Sequence, residues 1–267
     1  MSLVVSMTVG LSAFAEGMVY SRSGMAIERD ALKLKDIDHR TLRNSASPRF
    51  LNAVGRLMII TGSGDMHYCT AFPPAFAGNS NQAKYFETAA HCLIDQKKGT
   101  MLPIRQLSWS VFIDGWRLVK SEMKIASLDI PNDVAVLEAQ TPLSFQDVTP
   151  LSLADFSVDS DVTYMVAGYH GDLGNQGLRM AIDAPVEAGR LQIDEGMVVV
   201  ETVAFSGASG GPVLAIDDSG QAAVVGIIRG NGRTDKQFLI NGQRGSDKVE
   251  ITPSKWLSGI LSRPFWN

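Results

Sequence analysis

Short apolar runs separated by turn residues characterise the chain from about residue 50 onward. Gly, Pro, Asn and Asp bound most of these runs, and Val, Ile, Leu and aromatic residues fill them. We predict strands over Gly55–Thr61, Lys84–Thr88, Leu107–Ile113, Trp116–Val119, Asp133–Glu138, Val162–Gly168, Gly189–Asp194, Met197–Thr202, Pro212–Ile216 and Ala222–Arg229. Many short strands at this spacing favour an all-β protein, built as a barrel or a sandwich.

The two ends of the chain do not follow this pattern. Leu3–Ala15 is apolar and uncharged and ends in Ala-Phe-Ala, which predicts a signal peptide over residues 1–15; an apolar strand or helix packed on the core is the alternative. Residues 16–49 are polar and charged, and we interpret them as a linker, a propeptide or a surface-wrapping arm. At the other end, Thr252 as N-cap and Pro253 at the first helical position predict an amphipathic C-terminal α-helix.

Composition narrows the class of protein. The chain has 267 residues, of which 45% are hydrophobic and 19% charged, as in ordinary globular proteins. A net charge of -4 offers no electrostatic reason to expect nucleic acid or an anionic membrane as a partner, and no apolar run in the main body is long enough for a membrane span. In an exported protein the two cysteines, Cys69 and Cys92, would form a disulfide; two buried thiols are the alternative.

A serine surrounded by small residues stands out in the stretch "FSGASGGPVL", residues 205–214. Glycine-rich serine segments are often plain turns, and G-x-S-x-G is also the nucleophile motif of α/β-hydrolases. That fold places its catalytic histidine after the serine. All four histidines precede Ser209, which excludes the α/β-hydrolase interpretation: His39, His67, His91 and His170. We interpret His170 as a loop residue.

Three motifs follow one another in the order His, Asp, Ser: "TAAHC" at 88–92, "NDVAVLE" at 132–138 and "SGASGGPVL" at 206–214. Singly, they would be a core histidine, a strand start and a turn. Together and in this order, the chain resembles the trypsin/chymotrypsin-like serine peptidase family over about residues 50–260. "HYC" at 67–69 is similar to the family's His-x-Cys, and "VAGYHGD" at 166–172 is similar to a segment of bacterial glutamyl-endopeptidase-like (V8-like) members.

The resemblance implies two antiparallel six-stranded-type β-barrels (chymotrypsin-like), one over residues 50–145 and the other, with the C-terminal helix, over 146–267. It implies a catalytic triad in the cleft between them: Ser209 as nucleophile, His91 as general base and Asp133 to orient the histidine. The backbone N–H groups of Gly207 and Ser209 would form the oxyanion hole. The family pairs the cysteines, here Cys69 and Cys92, as a disulfide and needs no cofactor or metal. A zinc site is the alternative use of four residues: His67, Cys69, His91 and Cys92.

Two departures from the family concern activation and specificity. Ala208 replaces the Asp that pairs with a new N-terminus in animal digestive members, so that activation route is absent. Alignment with the family places Val203 at the floor of the specificity pocket and Ile228 and Arg229 at its wall, which argues against a preference for Arg or Lys. Either Arg229 selects acidic residues through a charge-assisted pair, or it pairs with Asp133 or solvent.

These observations predict a secreted or periplasmic serine endopeptidase that acts on protein or peptide substrates. They predict no cofactor, no nucleic-acid partner and no membrane span in the mature chain. The alternative is a catalytically weak homologue that keeps the fold as a binding module, since Ala208 and Arg229 depart from the family.

Overall fold

The computed structural model describes residues 17–20, 26–29, 37–75, 81–114, 116–156, 162–173, 178–194, 197–231, 237–240 and 243–254. The predicted signal segment, residues 1–15, lies outside these residues. Within them the fold is almost entirely antiparallel β-sheet, with one helical residue, Ser254, at the end of the described chain and three short 3-10 helices, Arg49–Ala53, Ala90–Leu93 and Ala188–Arg190. This confirms the all-β prediction. No helix in the described residues has the length and apolar character needed to cross a membrane.

The strands are numbered in chain order. Those before residue 145 are β1 Gly17–Tyr20, β2 Ala26–Arg29, β3 Thr41–Leu42, β4 Gly55–Thr61, β5 Met66–Ala71, β6 Gln82–Thr88, β7 Ile94–Asp95, β8 Thr100–Met101, β9 Ile104–Ile113, β10 Arg117–Asp129 and β11 Val134–Ser144. Those after it are β12 Ser152–Leu153, β13 Thr163–Tyr169, β14 Met180–Val186, β15 Leu191–Asp194, β16 Met197–Val200, β17 Ala204–Phe205, β18 Pro212–Ile216, β19 Ala222–Asn231, β20 Gln237–Ile240, β21 Gln243–Ser246 and β22 Val249–Pro253.

A six-stranded sheet in the order β5-β4-β9-β10-β11-β6 forms the first half-barrel. Side chains alternate along it: in β4, positions 55, 57, 59 and 61 are buried and the positions between them are half-buried, as expected of a sheet with one face on the core. Trp109 of β9 fills the centre of this core. Its ring lies 4.9 Å from that of Phe86, and its indole N–H donates to the Ala71 carbonyl at 2.9 Å, which satisfies the one polar atom of a fully buried side chain.

A nine-stranded sheet forms the second half-barrel. Its main path runs β15-β16-β22-β19-β18-β13-β14-β3, with β12 added in parallel to β19. The C-terminal half is therefore larger than the predicted six-stranded type. The extra edge strand β3 comes from the arm over residues 16–49, because Thr41 and Leu42 pair with Ile182 and Ala181.

The arm also joins a further sheet. Strands β1 and β2 pair with each other, and β1 continues the sheet β17-β21-β20, whose first strand, β17, lies just before the Ser209 loop. In the described residues the arm thus forms strands that pair with strands of the C-terminal half. Its role as a propeptide or linker stays a prediction.

The predicted start of the C-terminal helix is wrong. Thr252 and Pro253 lie in β22, where they pair with Ile227 and Gly226 of β19. Strand pairing continues through Pro253, and Ser254, the last described residue, is helical, so the structure contradicts the predicted start and leaves the helix itself a prediction. The remainder of the predicted helix, from residue 255 onward, lies outside the described residues.

Candidate active site

A cavity of about 1100 Å³ opens between the two half-barrels and contains the three residues singled out by motif. His91 lies in the 3-10 helix that follows β6, and Asp133 immediately precedes β11. Ser209 lies in the loop between β17 and β18. The first half-barrel therefore supplies the histidine and the aspartate, and the second supplies the serine.

The Asp133 carboxyl group accepts two hydrogen bonds from His91, one from its ring and one from its backbone. The Nδ1 atom of His91 lies 2.7 Å from Oδ2 of Asp133, and the backbone N–H of His91 donates to Oδ1 at 2.7 Å. A carboxylate only accepts hydrogen bonds, so Nδ1 carries a proton, and in the neutral ring Nε2 keeps its lone pair. The carboxyl group thus selects the histidine tautomer that can accept a proton from a nucleophile.

Asp133 is held in an uncommon backbone conformation. Its φ angle is +54°, a region that Asp and Asn enter more readily than most residues. Its N–H donates to the Ile130 carbonyl and its own carbonyl accepts from Ala90 N–H, both at 3.1 Å. Across the cleft, the hydroxyl of Thr252 donates to the Asn132 carbonyl at 2.8 Å. These bonds fix the carboxyl group against His91 from both half-barrels.

The loop that carries Ser209 leaves two backbone donors free. Gly207 and Ser209 donate no backbone hydrogen bond to any residue that the structure describes, whereas Ala208 N–H between them bonds the Phe205 carbonyl at 3.1 Å. Gly207 has φ +101°, and a Cβ there would lie 2.4 Å from the Tyr169 carbonyl oxygen, so only glycine fits. Two unpaired N–H groups beside a serine are what an oxyanion hole requires.

Ser209 and His91 line the same cavity but are not hydrogen-bonded to each other. In unliganded sites such bonds are often long, and they shorten when substrate is bound. The chemistry that the arrangement can perform is therefore nucleophilic attack by a hydroxyl beside a correctly oriented base.

Thr70 on β5 connects the Ser209 loop to the first half-barrel, and motif reasoning did not identify it. Its hydroxyl donates to the Gly207 carbonyl at 2.8 Å and accepts from Tyr169 N–H at 3.0 Å. Its backbone N–H donates to the Ser209 carbonyl at 2.8 Å. Nothing in the sequence marks this residue, because the two partners of its hydroxyl group lie more than 90 positions away.

His170 is a buried support rather than an ordinary loop residue. Only 2% of it is exposed, and its Nδ1 accepts a hydrogen bond from Phe205 N–H at 3.3 Å. Burial, together with the charge of Arg40, holds the pKa of His170 well below its usual value, so the ring stays neutral and can accept. The next residue, Gly171, donates its N–H to the Ser206 carbonyl at 2.8 Å.

Cys69 and Cys92 form a disulfide bond. The bond ties β5 to the 3-10 helix that holds His91. Because both sulfurs are used, the zinc alternative with His67 and His91 is wrong. No group of three or more metal-ligating side chains occurs within the described ranges.

Of the three residues predicted to form the specificity pocket, two line the cavity and one does not. Val203 is buried and does not line the cavity, whereas its neighbour Ala204 does. Ile228 and Arg229 both line it. Arg229 is the extra residue of a β-bulge between Ile228 and Gly230, opposite Glu250, and bulges redirect side chains near sites. Arg229 makes no ion pair with Asp133 or with any other described residue.

Comparison with known proteins agrees with this geometry. The structure is similar to that of the protease Anisep from Arthrobacter nicotinovorans (TM-score 0.55, 14% identity, covering 76% of this chain and 90% of that one). It is also similar to the thermostable serine protease AL20 from an extremophilic microorganism (TM-score 0.53, 18% identity, 75% and 93% covered). At these identities the likeness shows a shared fold.

Sequence comparison identifies the family. A search of curated protein sequences finds no match to the chain. The sequence profile of the trypsin-like peptidase domain matches residues 76–227, more than half of the chain. The matched region contains His91, Asp133 and Ser209. The chain therefore belongs to the trypsin-like peptidase family and is a serine endopeptidase.

Proposed function

We propose that the protein cleaves peptide bonds with a triad of His91, Asp133 and Ser209, through an acyl-enzyme intermediate. One observation carries the proposal. The double hydrogen bond between His91 and the Asp133 carboxyl group leaves Nε2 as the basic atom of a histidine in the same cavity as Ser209. An ion pair with a purely structural role would not need a serine in the same cavity, nor the free N–H groups of Gly207 and Ser209.

The proposed reaction gives each of these groups a defined role. The Ser209 hydroxyl attacks the scissile carbonyl carbon while Nε2 of His91 takes its proton. The N–H groups of Gly207 and Ser209 donate to the developing oxyanion. The imidazolium, stabilised by Asp133, then gives its proton to the leaving amine, and the acyl-enzyme forms. Water repeats the sequence and releases the acid.

Labelling with a fluorophosphonate probe tests this proposal. We expect the wild type to be modified at Ser209 alone, as mapped by mass spectrometry of the labelled peptide, because only an activated serine reacts quickly. Ser209→Ala and His91→Ala are expected to abolish the labelling. Ser206→Ala, in the same loop, is the control and should leave it.

Absence of labelling in folded, disulfide-bonded wild type would contradict the triad. It would instead favour the alternative of a catalytically weak homologue that binds rather than cleaves. Repeating the experiment after removal of residues 1–36 would distinguish this homologue from a precursor that these residues inhibit. The shortened precursor would gain labelling, whereas the shortened homologue would not.

Export to an oxidising compartment is part of the same proposal. A disulfide such as Cys69–Cys92 persists outside the cytosol, where thiol reductants are scarce. The apolar segment over residues 3–15 supports a signal peptide. The expected localisation is secreted or periplasmic, and the expected substrates are proteins or peptides.

Arg229 is the proposed selector for an acidic side chain before the scissile bond. It lines the cavity, has no ion-pair partner among the described residues and lies in a bulge. We expect Arg229→Ala to lower kcat/KM on substrates with Glu at that position by roughly 10- to 100-fold, because a charge-assisted hydrogen bond is lost. Substrates with Ala or Leu there should be unaffected.

Lys97→Ala is the control for this prediction, since Lys97 is a second cation lining the same cavity. It should leave the preference unchanged. Equal losses on all substrates in Arg229→Ala would mean that Arg229 supports the site rather than selects the substrate.

Glu250 also lines the cavity, and its negative charge repels an acidic side chain of the substrate. Glu250→Gln should therefore strengthen the preference for substrates with Glu before the scissile bond.

A further inference from the structure

A buried charge cluster lies behind the Ser209 loop, on residues that the proposed triad does not use. The guanidinium of Arg40 binds two carboxylates, each through two hydrogen bonds. It contacts Asp172 at 2.8 and 3.1 Å and Asp38 at 2.8 and 2.8 Å. The side chains of Arg40 and Asp172 are only 1% and 3% exposed. Such complete burial of charge is uncommon without a reason.

The same guanidinium contacts the strand that leads to the oxyanion loop. Its central carbon lies 5.0 Å from the ring centre of Phe205, the last residue of β17. The Phe205 carbonyl accepts the Ala208 N–H. Arg40 therefore packs against Phe205, and the hydrogen bond to the Phe205 carbonyl helps to hold the turn that contains Ala208.

The Asp172 side of the cluster reaches that loop by a second route. Asp172 follows His170 and Gly171 directly in sequence, and these two residues bond Phe205 N–H and the Ser206 carbonyl. Pulling Asp172 towards Arg40 thus orders the segment that holds residues 205 and 206 in place. The contact of Arg40 with Phe205 and the bonds of the Asp172 segment therefore both support the Ser209 loop.

The loop has no charged anchor of its own. Ala208, between the two free donors, has an apolar side chain and is 1% exposed. A loop that keeps two backbone N–H groups free of protein partners gives up two hydrogen bonds, so it needs support from its surroundings.

We propose that Arg40 is a positioning residue that holds the oxyanion loop in its active shape through Asp172 and Phe205. This rests on the proposed triad. The residues 38–42 are then part of the working enzyme, held by the pairing of β3 with β14, and any maturation cut must fall before Asp38.

Burial opposes the charge of Arg40, but the hydrogen bonds that it donates to Asp38 and Asp172, together with their negative charge, more than offset that cost and raise its pKa above the usual value. Removing the Arg40 side chain alone would leave the buried Asp172 and the partly exposed Asp38 without their cation, and such a variant could fail to fold. The test therefore removes the whole cluster at once, with Asp38→Asn, Arg40→Met and Asp172→Asn combined. Proteins commonly keep their stability when all members of a buried ion cluster are replaced together by neutral groups of similar volume.

The matched control is Asp183→Asn with Arg190→Met. This second buried pair, 2.6 Å between Arg190 and Asp183, lies in the same half-barrel but does not contact residues 205–209. The readouts are kcat, KM, the inhibition constant of a peptidyl trifluoromethyl ketone and the melting temperature. The ketone forms a tetrahedral oxyanion with an active serine, so its affinity reports on the oxyanion hole, whereas KM reports on substrate contacts.

For the triple variant we expect kcat to fall by about 100-fold, as for a displaced catalytic group, and the affinity for the ketone to fall in parallel. KM should stay unchanged. The control should alter the melting temperature and not kcat. Arg40→Lys keeps the charge but loses the bidentate bonds, and a smaller loss of kcat, about tenfold, is expected with KM again unchanged.

Wild-type kcat in the triple variant, or in Arg40→Lys if the triple variant does not fold, would overturn the role of Arg40. An equal loss of kcat in the control would also overturn it, since the effect would then be general to the half-barrel. Fluorophosphonate labelling of the wild type separates the two proposals. If wild-type Ser209 is not labelled, the triad itself is refuted; if it is labelled and the variants match it, only the inference about Arg40 fails.

Discussion

Asp133→Asn is expected to lower kcat by about 10⁴-fold at neutral pH while KM stays unchanged. The carboxyl group accepts both the N–H and the Nδ1–H of His91, at 2.7 Å each. An amide has only one accepting atom and adds a donor. With a donor facing Nδ1, the proton moves to Nε2, and the histidine can no longer accept the proton of Ser209.

The substitution is a clean one because Asn tolerates the backbone of residue 133. Its φ of +54° lies in the left-handed region where Asn is favoured at least as much as Asp. Steady-state kinetics on a peptide substrate and fluorophosphonate labelling rates are the measurements. Asp147→Asn, which alters an ion pair with Arg117 far from the cleft, is the control and should keep wild-type kcat. A loss of less than about tenfold would show that Asp133 does not select the tautomer.

Glu87→Gln is expected to stabilise the protein by about 3 kcal/mol at pH 7. Glu87 lies in β6, is 0% exposed, and neither oxygen of its carboxyl group has a hydrogen-bond partner in the described residues. Burial raises the pKa of this carboxyl group from 4.5 to about 8. In the folded protein the group is therefore protonated at neutral pH, whereas in the unfolded chain it is ionised.

The sign of the pH dependence follows from proton binding. Between pH 4.5 and about 8 the folded state holds a proton on Glu87 that the unfolded state has released, so the free energy of unfolding falls as pH rises through this window. Where the folded state holds one more proton than the unfolded state, each pH unit lowers the free energy of unfolding by about 1.4 kcal/mol. The glutamine is neutral in both states, so this slope should disappear.

Urea unfolding at a series of pH values between 4 and 9 measures this slope, about 1.4 kcal/mol per pH unit in the window, on a Ser209→Ala background that prevents self-digestion. Glu122→Gln, at an exposed position of β10, is the control and should leave both stability and slope unchanged. A flat profile for the Glu87 protein would contradict the prediction, because it would mean that the carboxyl group finds a partner or water in solution.

Sequence reasoning located several strands because their local signals agree with their place in the fold. The bounds predicted for β4 and β18 match the structure residue for residue, since each has a clear apolar run between turn residues. Strand β14 was missed because Asp183 and Pro185 interrupt its apolar pattern. The structure explains the aspartate: it is buried against Arg190 and the Thr202 hydroxyl, a partnership that local sequence does not reveal.

Strand β5 was missed for a similar reason. Its burial does not alternate; its last three residues, including Thr70, are all buried because the strand end faces the other half-barrel. The start predicted for the C-terminal helix was wrong in the opposite way, since Thr252 and Pro253 carry a good local capping signal but pair with β19, and Ser254 is the first helical residue.

By itself the sequence determined the all-β class, the family and the three motif residues, because chemistry that depends on a few residue types in a fixed order leaves a readable pattern. Only the tertiary structure decided what surrounds those residues. The support from Thr70, His170 and Arg40, the place of Ala204 rather than Val203 at the cavity, and the burial of the Glu87 carboxyl group depend on contacts between distant segments. Such contacts leave no local periodicity or spacing, so they become visible only when the chain is folded.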